Sequence, residues 1–119
     1  MDEATTRLLK EGNQARIDGD YAKARPMLQE AVDASPDVAE CYWALGHVLI
    51  NVGDFDEGIE TFDRAVELEP GNQRFIVDLA KSLEMLGEFE RARPLLEKVL
   101  ELDSNTREAE EARKSLSYY

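Results

Sequence analysis

The stretch YWALGHVLINVGDF, from Tyr42 to Phe55, holds the only tryptophan and the only histidine of the chain, and the only cysteine, Cys41, directly precedes it. Cysteine and histidine are the usual nucleophiles, bases and zinc ligands, but a zinc site takes four ligands at set spacing and a catalytic histidine needs an oriented partner. His47 has no such partner at a recognisable spacing. A lone Cys41 closes no internal disulfide and is expected to be a small buried hydrophobe. Asp54 and Asp56 open like a calcium loop, yet Gly58 arrives one position early and the remaining ligands are missing. Glu110 and Glu111 are neighbours that point to different sides of a helix, as solvated carboxylates do. No glycine-rich phosphate loop follows a strand. These residues therefore imply a chain that is not an enzyme, with no metal and no cofactor.

What must position Trp43 and His47 is set by the rest of the chain. Its 119 residues, 43% hydrophobic and 34% charged, suit one helical domain with a modest core and not a disordered tail. Asp and Glu number 26 against 14 Lys and Arg, for a formal charge of -12. Such a chain is repelled by nucleic-acid phosphates and anionic lipid surfaces, so neither nucleic acid nor a membrane is expected as partner. The opening MDEATTRLLKEGNQ has neither the basic start nor the apolar run of a signal peptide, and no stretch reaches the roughly 20 apolar residues of a bilayer span. The expected location is the cytoplasm.

The chain repeats itself every 34 residues. Gly19, Gly53 and Gly87 stand in phase, each followed two residues later by Tyr21, Phe55 or Phe89. Ala24, Gly58 and Ala92 keep the same interval, as do Leu28, Phe62 and Leu96, and then Ala31, Ala65 and Val99. Each period reads as two helices. The first carries apolar or small residues at i, i+3, i+4 and i+7, as in Tyr42, Leu45, Gly46 and Leu49. A turn of GDY, GDF or GEF follows, whose glycine supplies a left-handed helix end and whose acid can cap the next helix. Pro26 and Pro94 sit one or two turns into the second helices, where a local bend is expected.

The run YWALGHVL, then GIETF, then EP resembles the tetratricopeptide repeat pattern, with Tyr42 in place of its Trp, Leu49 in place of its Tyr and Gly58 in place of its Ala. The resemblance covers three repeats, about residues 5–38, 39–72 and 73–106, in a single domain. Glu11 stands where the family prefers Leu, so a looser or more exposed N-terminal helix is expected. Residues 107–119 carry only a thin stripe of Ala109, Ala112 and Leu116, with Asn105 and Glu108 spaced like a capping box. They read as the polar-backed end helix that a solenoid requires. The implied fold is all-α, a right-handed superhelical solenoid of three helix-turn-helix units with a C-terminal capping helix.

In this family the first helices line a concave groove that receives a peptide or a partner helix. Counted at about 100° per residue, Tyr42, Leu45, Gly46 and Leu49 face the packing side, while Trp43, His47 and Ile50 lie about a third of a turn away. The groove implied by the resemblance takes Leu9, Asn13, Arg16 and Ile17 from the first repeat. The second supplies Trp43, His47, Ile50 and Asn51, and the third Arg74, Val77, Lys81, Glu84 and Met85. Leu9, Trp43 and Val77 form an apolar stripe, and Trp and Arg are the residue types that most often dominate binding energy. Thr6 and Glu40 complete the lining, whose cations Arg16, Arg74 and Lys81 outnumber Glu40 and Glu84.

Family members that clamp the C-terminal carboxylate of a chaperone use Lys and Asn in the first repeat, Asn in the second, and Lys and Arg in the third. Here those positions are Leu9, Asn13, Ala44, Arg74 and Asp78. Only Asn13 and Arg74 suit an anion and Asp78 repels one, so a chaperone-tail ligand is not expected. The expected function is a non-catalytic interaction module, an adaptor or scaffold, that binds a peptide or amphipathic helix of a partner protein. The alternative is self-association through the groove or the end helix, and the chain is expected as a monomer or weak homo-oligomer.

Overall fold

The computed structural model describes all of residues 1–119, as seven α-helices: α1 (Glu3–Ile17), α2 (Tyr21–Ala34), α3 (Ala39–Asn51), α4 (Phe55–Leu68), α5 (Gln73–Met85), α6 (Phe89–Leu102) and α7 (Arg107–Leu116). The starts of α2, α4 and α6 are 34 residues apart, as are those of α3, α5 and α7. The sequence period is thus the spacing of the helices themselves. Gly19, Gly53 and Gly87 have φ of 79°, 90° and 78°, and no other residue type adopts positive φ. Each lets the next amide reach back to a helix carbonyl: Asp20 to Ala15 (2.8 Å), Asp54 to Leu49 (2.9 Å) and Glu88 to Leu83 (2.9 Å). The acid after the glycine caps unequally. Asp20 accepts from the amide of Lys23 at 3.2 Å, whereas the longer Glu88 makes no side-chain cap.

Contacts divide the chain into two units, Met1–Leu68 and Glu69–Tyr119. In the first, α1 pairs with α2, α3 pairs with α4, and α2 packs on α3. Small residues set the closeness of each pair. A Cβ on Gly46 would lie 2.7 Å from the ring of Phe62, and one on Gly12 would lie 2.8 Å from Leu28 Cδ2. Gly58 does the same in the opposite direction, admitting Ile50 of α3. Phe62, Leu28, Val48 and Leu49 are buried as a result, each worth about 1.5–3 kcal/mol of transfer free energy. Glu11 is exposed on α1. That helix is capped by the Asp2 carboxylate on the Thr5 amide (2.7 Å), and the buried Thr5 and Ser35 hydroxyls hydrogen-bond at 2.7 Å.

In the second unit α5 pairs with α6, and α7 packs on both. Phe75, Ile76, Leu79, Leu83 and Leu96 form its core. Gln73 ties the start of α5 to the end of α6, donating to the carbonyls of Val99 (2.8 Å) and Asp103 (2.9 Å). The capping box expected at Asn105 and Glu108 is not what starts α7. Thr106 is the N-cap, accepting from the Ala109 amide at 3.0 Å, and the Asn105 amide donates to Asp103 instead. Ala109 and Ala112 are fully buried. The positions of α7 in phase with Ile76, Leu79, Ala80 and Leu83 are Glu110, Arg113, Lys114 and Ser117, all exposed. The face on which a following helix would seat is therefore hydrophilic, as suits a helix that closes a repeat array. Both α2 and α6 run continuously through Pro26 and Pro94.

Candidate peptide-binding surface

The first unit contributes residues from α1 and α3, which touch each other. Asn13 Oδ1 accepts from Arg16 Nε at 2.8 Å, and the Arg16 guanidinium lies 5.1 Å from the centre of the Trp43 ring. Trp43 meets His47 edge to face at 4.7 Å, and His47 meets Phe62 in the same way at 5.1 Å. A cation over an indole and two T-shaped ring pairs each add about 0.5–1.5 kcal/mol of orientation-dependent attraction. Trp43 is only 8% exposed. Its indole is accordingly the floor beneath Arg16 and His47, which are half-buried, and little of the ring itself reaches solvent. Leu9, Asn13 and Ile50 are also half-buried, and Ile17 is 63% exposed. Asn51 is exposed and donates to the His47 carbonyl at 2.7 Å.

The second unit contributes residues from α5, and two of them are already engaged by α7. Lys81 Nζ pairs with Glu111 at 2.8 Å. Glu84 accepts from the Tyr119 hydroxyl at 2.9 Å and lies 3.4 Å from Ser115 Oγ. Burial, followed by the Glu84 contact, pushes the Tyr119 phenol up to about 12. Arg74 is exposed, with its guanidinium 5.5 Å from the centre of the Phe75 ring. Val77 is 3% exposed and belongs to the core, whereas Met85 is 57% exposed. The involvement of Glu111, Ser115 and Tyr119 was not anticipated. Carrying the 34-residue count past the last repeat would have found it, since it sets Ser115 in phase with Lys81 and Tyr119 with Met85.

The profile of the tetratricopeptide repeat matches residues 15–69 and again 52–116. The chain is 27% identical over 94 residues to Protein SGT1 homolog of Oryza sativa subsp. japonica, covering 79% of this chain and 26% of that protein. It is 32% identical over 100 residues to the tetratricopeptide repeat domain-containing protein PYG7, chloroplastic, of Arabidopsis thaliana, covering 81% and 33%. It thus spans about a quarter to a third of the length of these relatives. Among solved structures, the TPR2B-domain:pHsp70-complex of yeast Sti1 superposes with a TM-score of 0.86 at 20% identity, covering 99% of this chain and 94% of that one. The chain belongs to the tetratricopeptide repeat family, with the all-helical fold of its solenoids.

Proposed function

We propose that this protein-interaction module holds a peptide or amphipathic helix of a partner protein on the faces of its first helices. The observation that carries the reading is the Asn13–Arg16–Trp43–His47 stack. It fixes a guanidinium and an imidazole on an aromatic floor, so polar recognition groups are ordered before a ligand arrives. Ile17 adds exposed apolar surface in the same unit; in the second unit, considered by itself, Met85 and Arg74 are exposed on α5. A free chaperone carboxylate is a poor ligand for these faces. Leu9 and the fully buried Ala44 stand at clamp positions and offer a carboxylate no donor, and Asp78 opposes it.

Random twelve-residue peptides panned against the intact chain would supply the ligand for a calorimetric test. Arg16 is half-buried and Ile17 exposed; Arg16→Ala and Ile17→Asp are each expected to weaken the selected peptides about tenfold, or about 1.4 kcal/mol, with helix content unchanged. Unaltered affinity in both variants would refute the reading. A stable dimer in sedimentation velocity, broken by the same substitutions, would favour self-association instead.

A further inference from the structure

We infer that a cleft between the C-terminal end of α5, the start of α6 and the end of α7 is a second recognition site, for a partner segment that presents an aromatic side chain beside a single carboxylate. The inference goes beyond the first-helix reading and shares only Glu84 with it. The cleft encloses about 600 Å³. Its apolar walls are Phe89, 51% exposed, and Tyr118, 82% exposed, with Tyr119 between α5 and α6. Arg93 and Lys114 line it as exposed cations.

Tyr119 is pinned from three directions. Its hydroxyl donates to Glu84, its ring meets Phe89 edge to face at 5.8 Å and 89°, and the Arg93 guanidinium stands 5.3 Å from its centre. The wall is therefore built before anything binds. Glu84 is the one acid in the lining, and it is engaged by the Tyr119 and Ser115 hydroxyls. Two cations beside exposed rings give the cleft a local charge opposite to that of a chain carrying -12 overall. A ring entering it can stack on Phe89 and Tyr118, and a neighbouring carboxylate can then take charge-assisted hydrogen bonds from Arg93 and Lys114. A polyacidic segment or nucleic acid is disfavoured, because the surrounding chain repels an extended anion.

The probes are three blocked hexapeptides, centred on Asp-Phe, Lys-Phe and Asp-Ala, titrated into the intact isotope-labelled chain and followed by amide shifts. The Asp-Phe peptide should move Phe89, Arg93, Lys114, Ser115 and Tyr118 saturably, and the other two should bind at least about tenfold more weakly. Phe89→Ala and the Arg93→Glu, Lys114→Glu double variant should each lose about tenfold, while Arg16→Ala changes affinity less than about twofold. Phe89, Arg93 and Lys114 are exposed and Arg16 is half-buried, and circular dichroism checks that the helices persist in each variant. Equal binding of the Lys-Phe peptide, or no saturable shift up to about 5 mM, would overturn the assignment. Shifts confined to α1 and α3 would also overturn it, while leaving the first-helix reading intact. A dimer abolished by the double variant would instead assign the cleft to a second copy and reject a foreign segment.

Discussion

Trp43 lies beneath Arg16 and His47, and this makes a truncation there a change in stability before it is a change in recognition. Trp43→Ala is expected to cost about 3–5 kcal/mol in urea unfolding, because it empties a well-packed site. Trp43→Phe, which keeps a ring under the guanidinium, should lose less than half of that. Gly46→Leu should destabilise by at least about 1–3 kcal/mol in the same assay, since even a Cβ there meets the ring of Phe62. Cys41 is fully buried, and burial together with the nearby Glu40 pushes its thiol up from the ordinary cysteine value. Its reaction with a thiol reagent at pH 8 should therefore be far slower in the folded protein than in urea. Equal rates would show that the helix opens freely.

At the scale of the helices, the second unit depends on how α7 begins and what holds its end. Thr106→Ala removes the N-cap and should cost about 1 kcal/mol, read by thermal unfolding. Tyr119 tests the other end. Its phenol is pushed up to about 12 by burial and Glu84, so the folded state favours the neutral form. The stability this contributes is present below about pH 10, the ordinary tyrosine value, and is lost as the pH rises toward 12. Tyrosinate absorbance should show a component near pH 12 that Tyr119→Phe removes. The helices and their hairpins were legible because glycine phase, aromatic phase and small residues all repeat at one interval. The cap of α7 was misplaced by one residue because Asn105 and Thr106 are both good caps, and only backbone geometry chooses between them. The 34-residue count sets Glu111 in phase with Val77, but only the seating of α7 on α5 pairs it with Lys81, and that seating is not written in either helix alone.

For the whole molecule, phase identified which helical face Trp43 and His47 share, but it could not assign depth. Trp43 and Val77 lie largely below the surface, whereas Ile17 and Met85, from the same expected lining, stand exposed. Depth depends on how neighbouring helices seat, and the phase of a single helix does not carry that information. On the proposed reading a partner peptide is held on the faces of α1 and α3. A display-selected peptide carrying one photoreactive residue, cross-linked to the intact chain and mapped by mass spectrometry, tests this most directly. Adducts should fall on Asn13, Ile17, Asn51 and their neighbours; adducts confined to the exposed faces of α2, α4 and α6 would contradict it.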